Sequence, residues 1–311
     1  MCGDCFDEIE DGSWTVGVGG APEKREAPEA FDAELRETVL PKTLSPVVDV
    51  APVAGLPRVW LALGEDGGLC RIDLSSGEAL RVATSNVPPE PDHQPWGGKE
   101  LRRRLHVSRD GRFAAVVHDY GRNGDILDLT TGQTTSRLDG GTYLSRTVPF
   151  SFAFVPWGAR VAALHRTDWN RLDVTDAATG ELMTPRGPTT YQRGEDRPPH
   201  YLDSFHGALR VNPSGTRAAV DGWIWHPVGV IRTWSLAAWV GNVWESEDGP
   251  SKLNVCFREH YWDHAMTWLD DDLLVVGGIG DDEDWIVAGA RVFDVTRRSM
   301  AQGPWWGDAA R

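Results

Sequence analysis

Cysteines and long apolar runs are scarce in this sequence. Its 311 residues contain four cysteines, too few for the disulfide framework that stabilises small secreted proteins. No segment contains the roughly 18 uncharged apolar residues that a membrane-spanning helix needs. Met1–Glu10 is acidic and has no basic stretch followed by an apolar one, so we expect no secretion signal there. These absences predict a reduced, cytoplasmic protein that does not enter a membrane.

Positive charge is also scarce. The chain has 31 Lys and Arg residues against 46 Asp and Glu residues, which gives a net charge of −15. Proteins that bind nucleic acid use clusters of Lys and Arg to neutralise phosphates, and the one compact basic run here is Arg102–Arg104. We therefore expect no nucleic-acid partner. A protein partner, or an uncharged or basic small ligand, suits this charge better.

Helical periodicity is nearly absent, and only Pro28–Leu40 has the pattern of a short helix. Instead, a polar turn followed by an apolar run recurs five times along the chain. The turns are centred on Gly55, Gly111, Gly158, Gly215 and Asp272. The spacings between these residues are 56, 47, 57 and 57. A period of this order is typical of stacked β units such as propeller blades.

Each unit continues with a second apolar run that ends in a hairpin turn. Alternation of Val, Ile, Leu and Phe with polar residues predicts strands, and glycine supplies the positive φ that a tight turn needs. In Leu105–Gln133 the turn "SRDGR" precedes one strand and the turn "DLTTG" follows the next. These turn patterns resemble those of WD40-type β-propeller repeats, and the resemblance covers about residues 45–300.

The resemblance implies an all-β fold, a β-propeller of four-stranded antiparallel blades. Five blades are evident, and degenerate segments such as Asn254–Trp262 would raise the number to six or seven. The propeller domain would occupy residues 45–311, after an N-terminal segment at residues 1–44. Because closed rings leave no strand edge exposed, we expect the alternating stretch Ser13–Val18 to join the last blade. WD40-like propellers mostly serve as binding platforms, and some related propellers are enzymes.

Strand geometry would bring the longest loops to one face of such a ring. If the strands of a blade are lettered a to d, the b–c and d–a loops share a face because neighbouring strands are antiparallel. Both kinds of loop are predicted to be long here, and a d–a loop is predicted at Gly241–His264. Aromatic side chains with one wet edge favour interfaces, although these rings could instead pack the loops onto the ring. The predicted binding residues on this face are Tyr120, His118, His165, Asp168, Trp169, Trp223, Trp225, His226, Asp281 and Trp285.

Other motifs give weaker leads to chemistry. His260 and His264 are four residues apart, a spacing that suits zinc on a helix, but this stretch is predicted to be loop or strand, where solvated histidines are the alternative. Cys2 and Cys5 lack a second cysteine pair for zinc. No nucleophile elbow or glycine-rich fingerprint indicates catalysis or a nucleotide. We predict a non-enzymatic platform without a cofactor. The alternative is a propeller hydrolase or lyase that uses loop His and Asp residues near a central channel.

Overall fold

The chain folds into five antiparallel sheets, each built from strands that are consecutive in the sequence. The computed structural model describes residues 37–42, 44–90, 94–224, 228–280 and 285–296. We number the sheets 1 to 5 in chain order. This architecture confirms the prediction of an all-β fold. Among the described residues, no helix is long and apolar enough to cross a membrane.

Three of the sheets have four strands. Sheet 1 contains β1 Val47–Pro52, β2 Val59–Gly64, β3 Gly68–Asp73 and β4 Glu78–Thr84. Sheet 2 contains β5 Arg102–Val107, β6 Phe113–Asp119, β7 Asn123–Asp128 and β8 Gln133–Asp139. Sheet 4 contains β12 Ser204–Val211, β13 Arg217–Ile224, β14 Val228–Ser235 and β15 Leu253–Glu259. In each, the spatial order of the strands is their order in the chain.

Two sheets have three strands within the described residues. Sheet 3 contains β9 Phe152–Trp157, β10 Arg160–Asp168 and β11 Arg171–Asp176. Sheet 5 contains β16 Met266–Trp268, β17 Leu273–Ile279 and β18 Val287–Asp294. A 3-10 turn, Trp96–Gly98, precedes sheet 2, and two short helices, α1 Leu236–Gly241 and α2 Glu245–Asp248, lie between β14 and β15.

A recurrent aspartate forms the turn after the third strand, which is why the "D-x-x-x-G" pattern repeats in the sequence. Its Oδ1 accepts a hydrogen bond from the backbone N–H two residues later. The distances are 2.7 Å for Asp73, 2.8 Å for Asp128 and Asp176, and 3.0 Å for Asp294. In sheets 1 to 3 a glycine with φ of 72–74° follows four residues after the aspartate, in the region that glycine adopts without strain. In sheet 4 a serine takes the place of the aspartate, and its Oγ caps α1 instead.

Among the described residues, an apolar cluster fills each of the four interfaces between successive sheets. Leu63 and Leu69 of sheet 1 pack on Leu105 and Val116 of sheet 2. The next interfaces are represented by Phe113 with Phe152, by Leu164 with Trp234, and by Ile231 with Phe293. The first strands of successive sheets are also in contact, β1 with β5, β5 with β9, β9 with β12 and β12 with β16. The sheets are therefore stacked face to face in chain order with their first strands adjacent.

No described sheet packs against the outward faces of sheets 1 and 5, and both faces carry exposed apolar side chains. Val50 pairs with Ala62 on the side of sheet 1 that faces away from sheet 2, and it is 47% exposed. Val292 pairs with Val275 on the side of sheet 5 that faces away from sheet 4, and it is 52% exposed. Five sheets are thus joined by four interfaces. Ser13–Val18, the strand predicted to close the ring, lies outside the described residues.

Three sequence-based expectations need correction. Sheet 3 has no regular fourth strand: an isolated bridge joins Thr175 to Leu182, and further along β11 Thr184 Oγ1 accepts from Val174 N–H at 2.9 Å and Arg186 donates to the Leu172 carbonyl. Asn254–Trp262 is not an extra blade, because most of it is β15. The segment predicted as a helix, Pro28–Leu40, is not helical at residues 37–40, and its remainder lies outside the described residues.

Candidate functional site

One end of the stacked sheets carries the connections from each sheet to the next, together with the turns between second and third strands. We call this end the loop face. The connections are residues 85–101, 140–151, 184–203 and 260–265, and the first three are long. Two of these turns are shorter than predicted. Three residues separate β6, which ends at Asp119, from β7, which begins at Asn123, and two residues separate β10 from β11. The extra length of this face therefore lies in the connections between sheets.

The prediction of a d–a loop at Gly241–His264 is wrong for most of that stretch. Residues 236–248 contain α1 and α2, and residues 253–259 are β15, so this stretch connects the third and fourth strands at the opposite end of sheet 4. The physical reason is packing. Leu236 and Trp239 are both at most 3% exposed and join the cluster between sheets 3 and 4, which anchors a helix where the sequence suggested an open loop.

A chain of stacked aromatic rings crosses the loop face. The ring centroids of Trp169 and Phe205 are 4.8 Å apart, those of Phe205 and Trp223 are 4.8 Å apart, and those of Trp223 and Trp262 are 5.1 Å apart. Trp169 comes from the turn after β10, Phe205 and Trp223 from paired positions on β12 and β13, and Trp262 from the connection to sheet 5. The chain therefore joins elements of sheets 3, 4 and 5.

Three tyrosines extend this chain of rings outward. Tyr143, from the connection between sheets 2 and 3, lies 5.4 Å from Trp169. Tyr201 lies 6.3 Å from Trp169 on another side, and Tyr191 lies 5.2 Å from Tyr201. We call the whole set the aromatic run. Its members are Tyr143, Trp169, Tyr191, Tyr201, Phe205, Trp223 and Trp262.

Exposure rises from the middle of the aromatic run toward its tyrosine end. Phe205 is 1% exposed and Trp223 is 9% exposed, so the middle of the run is part of the protein interior. Tyr143 is 50% exposed and Tyr191 is 44% exposed. Large rings held by buried neighbours yet open to solvent on one side are the usual form of an interface anchor.

Polar contacts hold the connections of the loop face together. Tyr120 Oη donates to Asp263 Oδ2 at 2.8 Å, and Lys99 Nζ lies 2.9 Å from the same oxygen. Trp262 Nε1 donates to the Thr147 carbonyl at 3.1 Å. Burial would raise the pKa of Asp263, but the hydrogen bonds from Lys99 and Tyr120 outweigh it and lower that pKa. Burial and the Asp263 charge raise the pKa of Tyr120, so this phenol stays a hydrogen-bond donor.

Backbone strain is concentrated on the same face. Four non-glycine residues among those described have positive φ. Three of them belong to the turns and connections of the loop face, Tyr120 at 60°, Leu144 at 45° and His260 at 56°. Such conformations cost free energy and cluster where function requires a fixed geometry. Leu144 packs directly against the buried part of the aromatic run.

Two of the predicted site histidines hold turns in place. His118 is 7% exposed, and its Nδ1 lies 3.2 Å from Glu90 Oε1, which also accepts from the backbone N–H groups of Arg122 and Asn123. His165 is 4% exposed, and its ring nitrogens lie near Arg166 O and Thr175 Oγ1. Burial lowers the pKa of His165. Neither ring faces solvent.

The structure brings some of the other predicted residues together and separates the rest. Trp169 and Trp223 belong to the aromatic run, and Asp168 adjoins it. Tyr120 is near the run but is 3% exposed. Trp285 is 77% exposed on sheet 5 and is not part of the run. The predicted residues Trp225, His226 and Asp281 lie outside the described residues.

Five members of the run were not among the predicted site residues: Tyr143, Tyr191, Tyr201, Phe205 and Trp262. Tyr143, Tyr191 and Tyr201 lie in connections whose sequences contain few other aromatic residues. The available signal was the occurrence of single tyrosines in three stretches, "GGTYLS", "PTTYQR" and "PPHYLDSF". Nothing in that spacing shows that the rings meet, because Tyr143 comes from a different connection than Tyr191 and Tyr201.

The candidate metal residues do not form a metal site. His264 Nδ1 lies 2.9 Å from Asp221 Oδ1, and its backbone N–H donates to the other carboxylate oxygen at 2.6 Å. The side chain of His264 is fully buried, whereas His260 is exposed. Among the described residues, no three His, Cys, Asp or Glu side chains are placed to hold a metal ion.

The His264–Asp221 pair also lacks access to substrate. Its Nε2 has no hydrogen-bond partner within the described part of the chain, but the side chain is closed to solvent. Of two cavities, one of about 470 Å³ lies between β4 and the start of β8, and one of about 140 Å³ is lined mainly by sheet 1; Arg81 lines both. Neither is lined by His264 or Asp221. The geometry favours a structural role for this pair, in which Asp221 fixes the connection that precedes sheet 5.

Comparison with known proteins gives likenesses of structure at low identity. No family model matches the chain, and no curated protein matches it. The structure of U3-55K is 13% identical, with a TM-score of 0.46, covering 84% of this chain and 64% of that one. An oligogalacturonate lyase in complex with manganese is 11% identical, with a TM-score of 0.47, covering 78% and 61%. The RRP9 WD40 repeats are 13% identical, with a TM-score of 0.43, covering 78% and 60%.

The chain therefore spans about three fifths of the length of these structures. At such TM-scores and identities the likenesses carry no argument about what the protein binds. The functional interpretation has to come from the loop face itself.

Proposed function

We propose that this protein is a β-propeller-type binding platform and that the exposed end of the aromatic run contacts a protein partner. The five sheets would be blades, since they are stacked in chain order with their first strands adjacent. In this arrangement the loop face is one face of the ring.

The observation that supports the proposal is the gradient of exposure along the aromatic run. Rings that only pack loops onto sheets would be buried throughout, as Phe205 is. Tyr143 and Tyr191 are instead about half exposed, while each ring contacts another ring of the run, Trp169 and Tyr201 respectively. When its neighbours already hold an aromatic side chain in place, binding orders it at little further cost in entropy. Burial of its exposed surface against a partner then contributes to affinity.

Capture experiments with matched variants test this proposal. Immobilised full-length protein is incubated with extract of the source cells, and the captured proteins are quantified by mass spectrometry. Tyr143→Ala and Tyr191→Ala should each lose the main captured proteins. Leu80→Ala, which removes a 67% exposed apolar side chain from β4 of sheet 1, serves as the control and should retain them.

Circular dichroism melting shows whether the variants remain folded. Because both tyrosines are surface residues, we expect a change in the free energy of unfolding of less than about 1 kcal/mol for each. Capture that is unchanged in the folded tyrosine variants would reject the aromatic run as the binding site. Equal loss in Leu80→Ala would show that capture reflects general surface apolarity.

A further inference from the structure

We propose that the exposed end of the aromatic run binds arginine side chains from a basic segment of the protein partner. This inference rests on the proposed function and specifies the chemistry of the partner. The acceptor groups would be the rings of Tyr143 and Tyr191, with the carboxylate of Asp168 beside the run.

The aromatic run already has an arginine stacked on it. The guanidinium carbon of Arg197 lies 4.4 Å from the centroid of the Tyr201 ring. Guanidinium groups are attracted to the faces of aromatic rings because the ring quadrupole is negative there. Tyr191 contacts the same Tyr201 ring edge-on at 76°, so the two rings present surfaces in different directions. One guanidinium is therefore accommodated by the chain itself, next to a ring that is still half exposed.

Carboxylates lie next to the rings. Asp203 Oδ1 accepts a hydrogen bond from Tyr201 Oη at 3.1 Å. Burial, together with this carboxylate, raises the pKa of Tyr201. Asp168 Oδ1 accepts from Trp169 N–H at 2.7 Å, which is its one hydrogen bond among the described residues. Asp168 also lies against Gly141, where an added Cβ would be 3.0 Å from Oδ1, two residues before Tyr143. A cation stacked on Tyr143 would thus meet a carboxylate with one oxygen still available.

Arginine matches these two features better than lysine does. Its planar guanidinium can stack on a ring while its edge donates to a carboxylate, whereas an ammonium group is a compact, strongly hydrated charge. The net charge of −15 would also attract a basic segment over longer range. An uncharged proline-rich segment could lie on exposed rings as well, but it would make no use of Asp168.

Peptide binding to the full-length protein tests the inference. The probes are a fluorescently labelled 12-residue Gly/Ser peptide with four arginines, the same peptide with lysines, the same peptide with uncharged citrullines, and a proline-rich peptide of equal length. Fluorescence anisotropy gives Kd at two salt concentrations. We expect the arginine peptide to bind most tightly and to weaken with salt, because ion pairs near the surface are screened. The citrulline peptide should bind at least about tenfold more weakly, the sum of lost cation–π and ion-pair contributions.

Variants assign the binding to the run. Tyr143→Ala and Tyr191→Ala should each weaken the arginine peptide about two- to fivefold, which corresponds to one exposed cation–π contact. Asp168→Asn should weaken it and reduce its salt dependence, and Leu80→Ala should leave Kd unchanged. Citrulline or proline-rich peptides that bind as tightly as the arginine peptide would overturn the inference. So would an arginine peptide whose Kd is unaffected by all three variants.

Competition separates this inference from the proposed function. If capture of the cellular partner depends on Tyr143 and Tyr191 but excess arginine peptide does not displace the partner, the arginine inference fails and the binding platform stands. If capture does not depend on these tyrosines, the proposed function fails, whatever the peptide does.

Discussion

Replacement of Arg186 should destabilise the protein more than replacement of any surface residue of the loop face. Arg186 lies in the connection that carries Tyr191 and Tyr201, and its side chain is fully buried. Its Nε lies 3.2 Å from Asp173 Oδ1 and its Nη1 lies 2.7 Å from Glu247 Oε2. It also stacks 4.8 Å from the Trp244 ring. One side chain thus joins sheet 3, the connection and α2.

The magnitude follows from which carboxylate loses its partner. Asp173 retains Arg171, whose Nε lies 2.6 Å from Asp173 Oδ2. The side chain of Glu247 is 1% exposed. Without Arg186, the remaining hydrogen bond to Glu247 Oε2 would be the one from the Ser246 hydroxyl, at 2.9 Å. Removing one member of a buried ion pair leaves a buried charge without compensation and costs about 3–5 kcal/mol. We therefore expect Arg186→Ala to lower the free energy of unfolding by about 3–5 kcal/mol.

Urea unfolding at equilibrium measures this loss, and a second substitution tests its cause. In Arg186→Ala the added change Glu247→Gln should recover part of the lost stability, because it removes the uncompensated charge. The single variant Glu247→Gln, which keeps Arg186, should be less stable than wild type. A loss below about 1 kcal/mol for Arg186→Ala, or strictly additive effects of the two substitutions, would refute the reasoning.

The effect of pH has a definite sign. Burial raises the pKa of Glu247 even with Arg186 present, since desolvation exceeds the opposing effect of the arginine. Without Arg186 that pKa should rise further. A carboxyl whose pKa is higher in the folded state favours folding below its unfolded pKa, and this contribution disappears as the pH rises through the folded pKa. The deficit of Arg186→Ala relative to wild type should therefore be largest at neutral pH and shrink as the pH falls toward about 5.

Three further predictions concern other parts of the chain. Tyr120→Phe removes the hydroxyl that donates to Asp263, while Lys99 remains, so the free energy of unfolding should fall by about 1 kcal/mol in urea titrations; a larger loss than in Asp263→Asn would contradict this. Gly229→Ala would place a Cβ 1.7 Å from the Tyr261 carbonyl oxygen, so we expect a melting temperature well below wild type, and an unchanged value would show that the connection yields easily. Deletion of residues 1–20 should lower the melting temperature of all sheets together, measured by hydrogen exchange and calorimetry; an unchanged melting temperature would reject a closing strand at Ser13–Val18.

The repeated strands could be predicted from the sequence because their signals are local. The turn "DLTTG" needs only Asp128, a backbone N–H two residues later and a glycine with positive φ, all within five residues. The same holds for the alternation in Phe113–Asp119, which the side-chain period of two imposes on any strand with buried neighbours. These patterns located strands of all five sheets and left the number of blades open between five and seven, but they did not show that a helix would follow β14 or that sheet 3 would have no regular fourth strand.

The candidate site could be predicted only in part. Trp169 and Trp223 stood out as aromatic residues at turns, and both belong to the aromatic run. His118 and His165 looked equally suitable, yet they are buried and hold turns. A sequence shows that a histidine adjoins a turn, but its exposure depends on whether a residue such as Glu90, from another connection, packs against it.

Local chemistry alone determined the strands, the hairpin turns, the acidic surface and the order of the sheets, since each depends on residues that are close in the chain. Tertiary structure decided which rings meet. Tyr143, Trp169, Phe205 and Trp262 come from four separate segments spanning 120 residues of sequence, and their stacking depends on how the sheets are placed against one another. It also decided that Tyr143 and Tyr191 stay open to solvent while Tyr120 does not, because exposure is set by neighbours that are distant in the chain.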